Sequence, residues 1–460
     1  MKKLLIITFL ITLSCSVFSQ EVICDTLYGI RSDVTHLTVA GKIDVRNFMF
    51  IKCFYPNLTH LDLSQAQIVS YEDYYKRYLS NSNKDNEIPS FIFQYNKKLK
   101  RIILPESLIS IGYMAFDNTN IDSIVIPAGV KYIRNYAFKN CSNLSYIKIH
   151  ENAKFLIFSE AFKNCTSLEE IVNSHNIMII ESKAFENCHS LRSFTLYDNI
   201  SKIDDNIFKN CKSLQSIIIP ESVKSIGACA FSGCSELTTI NIPKHLSEIK
   251  YTSLYARFTT IADSCKKLTS FSVAKGNPAF SDINGILYNK DKTILIRCPE
   301  GIKGEVVIPA SVVEIAQSAF ENSNIQRVKF GKNVQIIGKN AFRNCTSLTA
   351  VEFSKKLKCI DDRAFLDCKI LGDIDIPESV NWIGSDVFKN CECLGKISVY
   401  WQEPQSVYFN HFTSNDNYKG LEKEGKRRYL IIPFGTENKY YQRGWYFELM
   451  ERPQEKNNRK

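Results

Sequence analysis

Cysteine and histidine are the residues of this sequence that could carry out nucleophilic catalysis or bind a metal ion, and the chain has 16 cysteines and 7 histidines. Cys188 and His189 are adjacent in the segment NCHSL and could form a thiol activated by an imidazole. Cys391 and Cys393 are a close pair of thiols, but no histidine is near them in sequence, and zinc sites need ligands that converge on one ion. The histidines occupy no common repeat position. The sequence therefore predicts no catalytic centre, no metal site and no cofactor.

Two carboxylates occur close together in the segment DIDIP, residues 373–377. On a strand, Asp373 and Asp375 point to the same outward face because side chains alternate. Such a pair could serve a glycosidase, whereas a solubilising pair on a solvated strand is the commoner arrangement. Residues 270–301 contain glycines and lysines without the GxxxxGK spacing of a phosphate-binding loop. We therefore expect a protein that is not an enzyme.

The elements that carry these residues are repeats, because a leucine or isoleucine begins a new unit every 22 to 24 residues from Leu99 to Leu237 and, after an interruption, every 23 residues from Ile325 to Leu394. In residues 214–236, LQSIIIP predicts a short strand ending at Pro220, which lacks the N–H that a central strand needs. SVKSIG then turns a corner, and AFSGCSE forms a tight turn with Ala230, Phe231 and Cys234 inward. One unit cannot bury these side chains alone, so the units must stack as coils of a solenoid. The leading residues are Leu99, Ile121, Leu144, Leu168, Leu191, Leu214, Leu237, Ile325, Leu348, Leu371 and Leu394.

The repeat also carries a family resemblance. The pattern L-x-x-I-x-I-P-x-S-V-x-x-I-G-x-x-A-F-x-x-C, best matched by residues 214–236, 371–391 and 121–141, is similar to the BspA-type leucine-rich repeat of bacterial surface proteins. Residues 148–158 and 172–180 depart from it, since they lack the proline and the glycine. The resemblance implies a right-handed leucine-rich-repeat solenoid, β-rich with short helical turns rather than full helices.

The resemblance extends to both ends of the chain. Residues 57–68 resemble the divergent first repeats of such proteins, and residues 429–447 resemble their closing segment. Four segments are predicted: a signal peptide at 1–19; an N-terminal cap with divergent repeats at 20–98; repeats at 99–400, with insertions near 255–264 and 272–304; and a C-terminal cap and tail at 401–460.

Nine cysteines lie three residues before a repeat leucine, and Thr119 and Ser323 take this place in two shorter units. A position that accepts cysteine, threonine or serine is a small buried site. Stacked coils would place the thiols roughly 4.8 Å apart, without the Cβ approach of about 3.8 Å that a disulfide prefers. We therefore predict free thiols here, and Cys24 with Cys53 as the best candidates for a disulfide. The nine are Cys141, Cys165, Cys188, Cys211, Cys234, Cys265, Cys345, Cys368 and Cys391.

The N-terminus predicts export. Two lysines precede an apolar run from Leu4 to Leu13, which is typical of a secretory signal peptide and too short to span a bilayer. The alternative is lipidation at Cys15, although the residues before it lack the usual upstream leucine. No other stretch approaches 18 apolar residues, so we expect no transmembrane segment. The net charge is +10, but the 58 lysines and arginines are scattered among 48 acidic residues and form no dense basic stripe, which argues against nucleic-acid binding.

Binding must use the side chains that the repeat leaves outside. Positions two and four after the leading residue face outward on the strands, and Arg101, Ile103, Tyr146 and Lys148 are our candidates there. The insertion YARFTTIAD adds Tyr255, Arg257 and Phe258, residue types that dominate interface energetics.

The family resemblance implies a non-catalytic surface adhesin with an extracellular protein partner from a host, the matrix or other bacteria. A glycan-binding or glycan-processing protein is the alternative, for which Tyr146, Tyr132 and Tyr136 would have to cluster on one face with carboxylates. A purely structural role would leave no localised patch.

Overall fold

The computed structural model describes residues 19–23, 33–71, 84–198, 200–250, 261–404, 429–442 and 448–451. The chain forms two compact units, Met1–Leu237 and Thr238–Lys460. Each unit is built from short strands, most of them stacked in parallel, so the fold is the β-rich repeat solenoid that the sequence predicts. Residues 1–18 of the predicted signal peptide, together with Cys24, lie outside the described residues, so the Cys24–Cys53 disulfide stays a prediction.

Each coil follows from the pattern of its residues, as residues 214–231 show. The strand Ser216–Ile218 buries Ile217 and leaves Ile218 78% exposed. After Pro220 the chain turns, and the two-residue strand Ser225–Ile226 buries Ile226. Phe231 is fully buried beyond the second strand. A coil thus presents outward side chains on one longer strand and one very short strand.

In the first unit the strands are β1 (Ser19–Ile23), β2 (His36–Ile43), β3 (His60–Ile68), β4 (Glu87–Ile88), β5 (Arg101–Ile103), β6 (Ser110–Ile111), β7 (Ser123–Ile126), β8 (Tyr132–Ile133), β9 (Tyr146–Ile149), β10 (Phe155–Ile157), β11 (Glu170–Val172), β12 (Ile177–Ile180), β13 (Ser193–Thr195), β14 (Lys202–Ile203), β15 (Ser216–Ile218) and β16 (Ser225–Ile226). A parallel sheet has the order β1-β2-β3-β5-β7-β9-β11, and a second has the order β12-β10-β8-β6-β4. Strands β13 and β15 pair, as do β14 and β16.

Helix α1 (Val45–Phe54) follows β2 in the first unit and begins at a side-chain cap. Asp44 accepts a hydrogen bond from the Arg46 amide (2.8 Å), and Asn47 accepts one from the Asp44 amide (2.9 Å). The helix buries Phe48 and Ile51. A single 3₁₀ turn, Ser174–Asn176, lies between β11 and β12.

In the second unit the strands are β17 (Thr239–Ile242), β18 (Glu248–Ile249), β19 (Ser270–Val273), β20 (Phe280–Ile283), β21 (Ile286–Asn289), β22 (Ile294–Arg297), β23 (Gly304–Val307), β24 (Glu314–Ile315), β25 (Ile325–Lys329), β26 (Ile336–Ile337), β27 (Ala350–Glu352), β28 (Cys359–Ile360), β29 (Ile374–Asp375), β30 (Trp382–Ile383), β31 (Lys396–Ser398), β32 (Tyr429–Ile432) and β33 (Glu448–Glu451). Its sheets have the orders β17-β19, β20-β21-β22-β24-β26-β28-β30, β23-β25-β27 and β29-β31-β32-β33. Strands β20, β21 and β22 pair antiparallel, which sets them apart from the parallel coils. Helix α2 (Glu437–Gln442) follows β32.

Stacked phenylalanine rings form the core of each unit. In the first unit, neighbouring ring centroids are 5.1–5.9 Å apart from Phe93 to Phe231. In the second unit they are 4.6–5.5 Å apart from Phe320 to Phe388. The rings are close to parallel because each repeat places the same residue at the same point of its coil.

The nine repeat cysteines are buried thiols outside disulfide bonds, as predicted. The Cys165 thiol donates to the carbonyl of Phe138, one coil earlier, over 3.2 Å, and the same bond recurs along both stacks. Thr119 takes the position in a shorter unit, and its hydroxyl lies 3.2 Å from the Cys141 sulfur. The site therefore selects a small side chain with one donor.

No helix in the described part of the chain has the length and apolar character needed to cross a membrane.

Truncating Phe162 tests the stacked core. Phe162 is 1% exposed and lies between Phe138 and Phe185, at 5.1 and 5.4 Å. We expect Phe162→Ala to lower the free energy of unfolding by about 3–5 kcal/mol, as loss of a buried aromatic side chain does, measured by urea denaturation. Phe54→Ala is the control, since Phe54 is 56% exposed. Equal effects of the two changes would contradict the inward assignment.

Thiol labelling tests the cysteine ladder. Burial raises the pKa of Cys141 to about 11, and it raises the pKa of Cys165 and Cys211 as well. At pH 8 we expect Ellman's reagent to leave the buried ladder unmodified until the protein is denatured, because the thiolate is the reactive form. The exposed Cys393 serves as the native-state positive control. Labelling of Cys188 in native protein, detected by mass spectrometry, would show that the ladder is open to solvent.

Candidate binding face

The first sheet presents two rows of outward side chains, which we call the N-terminal sheet face. Ile102, Ile124 and Ile147 point inward and are 2–3% exposed, so alternation turns their neighbours outward. The strand register places these neighbours side by side. The first row is His36, His60, Arg101, Ser123 and Tyr146; the second is Thr38, Asp62, Ile103, Val125 and Lys148.

The second row has an apolar centre. Ile103 is 48% exposed and Val125 is 55% exposed, and each lies two residues after a member of the register pair Arg101 and Ser123. Asp62 lies opposite Ile103 on one side, and Lys148 lies opposite Val125 on the other. An apolar centre with a charged rim is the usual anatomy of a protein interface.

Arg101 lies in the first row beside this centre. Its Nε is 3.9 Å from Asp122 Oδ1, and the two side chains are 57% and 46% exposed. Asp122 also accepts a hydrogen bond from the Ser123 hydroxyl over 2.7 Å. An exposed ion pair at this distance contributes little to stability. The guanidinium is therefore available to a partner.

His36 and His60 extend the first row beyond Arg101. Their rings stack with centroids 4.1 Å apart and planes 10° apart. The pKa of His60 is lowered, first by burial and then by His36 and Arg101. The sequence analysis did not find this pair, because it compared the histidines only with the regular repeats that begin at Leu99. The signal was the tripeptide Thr-His-Leu, which occurs at 35–37 and again at 59–61.

A shallow polar groove of about 450 Å³ lies in the second unit. Glu305, Gln326, Arg327 and Thr349 line it, with Ile370 at its border. Arg327 follows Ile325 by two residues, as Arg101 follows Leu99, so the two arginines occupy the same repeat position.

The repeats match a known protein family. A sequence model described as "BspA type leucine rich repeat region" matches the chain in six copies, over residues 69–156, 156–283 and 302–419. The chain belongs to the BspA-type leucine-rich repeat family. The predicted resemblance is thereby confirmed. A search among curated proteins found no match.

Solved structures of other leucine-rich repeat proteins resemble this BspA-type chain. A leucine-rich cell surface protein from Faecalibacterium prausnitzii A2-165 is 25% identical, with a TM-score of 0.57, over 80% of this chain and 90% of that one. A leucine-rich repeat protein from Bacteroides ovatus ATCC 8483 is 24% identical, with a TM-score of 0.47, over 79% and 82% of the two chains.

Four predicted binding residues lie together on the N-terminal sheet face. Arg101 and Tyr146 share the first row, and Ile103 and Lys148 share the second. The insertion with Tyr255, Arg257 and Phe258 lies outside the described residues. Those three positions stay a prediction.

Tyr132 and Tyr146 do not share a sheet, as the glycan-binding alternative would require. Tyr132 belongs to β8 in the second sheet, whereas Tyr146 belongs to β9 in the first. The two side chains therefore leave their coils on different strands, although they are close in sequence.

The structure gives structural roles to residues of the two catalytic pairs considered from sequence, Cys188 with His189 and Asp373 with Asp375. The Cys188 thiol donates to the Phe162 carbonyl over 3.2 Å and its pKa is strongly raised by burial, so it is a poor nucleophile. Asp373 and Asp375 are both exposed, and Asp373 accepts a hydrogen bond from the Lys396 amide over 2.8 Å. Asp373 thus has a structural role between neighbouring coils.

The pKa of His60 provides a test of this face. We expect an NMR titration to give a value below 6.5, and Arg101→Gln to raise it because a neighbouring positive charge is removed. Since the folded value lies below the unfolded one, the contribution of His60 to stability should fall as the pH drops below about 6.5. Arg192→Gln is the control, because Arg192 pairs with Glu169 in another coil. An unchanged His60 value in Arg101→Gln would contradict the arrangement.

Proposed function

We propose that this BspA-type chain is an exported, non-catalytic adhesin that binds an extracellular protein through its N-terminal sheet face. The observation that carries this function is the exposed pair Ile103 and Val125, rimmed by Arg101, Tyr146 and Lys148. In the isolated protein, the apolar side chains of this pair are exposed to water, which is unfavourable. Binding a partner would bury them and so contribute favourably to the binding free energy.

The residue types around the centre favour a protein partner. Tyrosine and arginine are enriched among the residues that dominate binding energy. Lys148 and Asp62 flank the apolar pair with opposite charges, and such a pattern orients a partner through complementary charges. The rows come from rigidly paired strands, so little ordering of the backbone is needed on binding.

Two further observations support a position at the cell surface. The N-terminal sequence has the pattern of a secretory signal peptide. The similar structure from Faecalibacterium prausnitzii is described as a cell surface protein.

The test is a binding screen of residues 20–460 against arrayed extracellular-matrix proteins and glycans. We expect a protein ligand whose affinity falls at least about tenfold, equivalent to ~1.4 kcal/mol, in Ile103→Asp and in Arg101→Glu. Both changes place an unfavourable charge in the proposed contact and disturb no buried group.

Matched controls occupy the same repeat positions elsewhere. Ile218→Asp is the control for Ile103→Asp, because Ile218 is even more exposed, at 78%. Arg327→Glu is the control for Arg101→Glu and changes the polar groove of the second unit. We expect both controls to bind as the unmodified protein does.

Other outcomes would move the site or change the function. Loss of binding in a variant of Tyr255, Arg257 and Phe258, with Ile103→Asp unaffected, would place the site on the insertion. A glycan ligand lost in Arg327→Glu, without any protein ligand, would favour the glycan-binding alternative. Equal losses in the test and control variants would contradict a localised face.

A further inference from the structure

We propose that His36 and His60 form a binding site for a divalent transition-metal ion such as Zn²⁺ or Ni²⁺, which both imidazoles bind through Nε2. This site differs from our expectation, drawn from the sequence, that the chain has no metal site.

The two histidines are placed by strand pairing. His36 on β2 is the register partner of His60 on β3, and each is the second residue of a Thr-His-Leu tripeptide. The rings are parallel, with centroids 4.1 Å apart. Two nitrogens bound to one zinc ion at about 2.1 Å each can be at most about 4.2 Å apart. The lone pair of each Nε2 lies in the plane of its ring, so the two near-parallel rings must tilt toward each other to share an ion. Both side chains are partly exposed, which leaves room for this movement.

Hydrogen bonds assign the free nitrogen of His60. The Thr59 hydroxyl donates its proton to the Thr35 carbonyl over 2.9 Å. The Thr59 oxygen must then accept the bond from His60 Nδ1, which is 2.9 Å away. In neutral His60 the proton is therefore on Nδ1, and the lone pair is on Nε2.

The His36 ring has a similar hydrogen-bond contact at its Nδ1. The Thr35 hydroxyl lies 3.0 Å from His36 Nδ1. Metal-binding histidines are usually oriented by a hydrogen bond to the other ring nitrogen. Two neighbouring threonines thus provide at both rings the outer contacts that such a site requires.

The charges nearest the two rings partly offset one another. Arg101, the register partner of His60, lies 3.9 Å from Asp122. Asp62 lies two residues after His60 on the same face, and its Oδ1 accepts a hydrogen bond from the Ser64 amide over 2.8 Å.

The pair leaves coordination positions open. Within the ranges that the structure describes, no group of three or more histidine, cysteine, aspartate or glutamate side chains is placed to hold one ion. Water, or a carboxylate of a bound partner, would complete the coordination. A two-histidine site of this kind suits metals that accept imidazole ligands, rather than Ca²⁺ or Mg²⁺.

Isothermal titration of the untagged mature chain with ZnCl₂, and separately with NiCl₂, tests this site at pH 7.5. The background carries Cys53→Ser and Cys393→Ser, because these exposed thiols could bind the same ions. It also carries Cys24→Ser, so that loss of the predicted Cys24–Cys53 disulfide leaves no new thiol. We expect one bound ion, and a loss of affinity of at least about tenfold in either His36→Gln or His60→Gln. His175→Gln is the matched control, since His175 is exposed and belongs to the 3₁₀ turn Ser174–Asn176. It should bind metal unchanged.

Three results would overturn the proposal: no metal binding by the background protein, an affinity of His36→Gln and His60→Gln equal to that of the background, or an equal loss of affinity in His175→Gln. Circular dichroism of each variant shows whether the fold is retained. The titration uses no partner protein, so a failure here leaves the adhesin proposal intact, and a failed partner screen leaves the metal site intact.

Discussion

The stack of coils depends on backbone hydrogen bonds made in the turn that contains the core phenylalanine. In one coil, the amides of Tyr136, Phe138 and Asn140 donate to carbonyls of the next coil over 2.8–3.2 Å. The amides of Ala137 and Lys139 donate within their own turn. This alternation requires positive φ at Tyr136 and Asn140, about 60° at each. Each coil is therefore hydrogen-bonded to the next at three places: its two short strands and this turn.

The same constraint explains the asparagines and cysteines beside the phenylalanines. Asparagine tolerates the left-handed backbone better than most residues do. Its amide also bonds to the asparagine one coil earlier, as Asn164 does to Asn140 over 2.7 Å. The cysteine that follows lies against a phenylalanine carbonyl of the previous coil and donates to it. A larger side chain would have to displace that carbonyl, which fixes the size of this position along both stacks.

The inward positions were predictable from sequence, because each is repeated at a constant step and has one chemical requirement. Leu214, Ile217, Ile226 and Phe231 are all buried as the repeat predicts. Asparagine recurs near the phenylalanine in most repeats, but the sequence alone did not explain it. The explanation is the positive φ of the backbone at this position, which only the structure shows. Tyr132 and Tyr146 were grouped wrongly because a separation of 14 residues crosses from one sheet to the other. Separations near one full coil place side chains at equivalent points of neighbouring coils.

That rule also explains why the histidine pair was missed. His36 and His60 are 24 residues apart, one coil, but they lie where the leucine spacing is irregular. The pairing of β2 with β3 is nonetheless in register from His36 to Thr38, and it continues on to Arg101 and Ile103. The apolar centre and the histidine pair therefore lie on one continuous sheet, a single strand apart. A cation held by the histidines would add positive charge beside Arg101, so an acidic side chain of a partner would be the natural group to meet both. The negative charge of Asp62, the register partner of Ile103, would repel such an acidic side chain. The charges around the apolar centre would therefore favour one orientation of the bound partner.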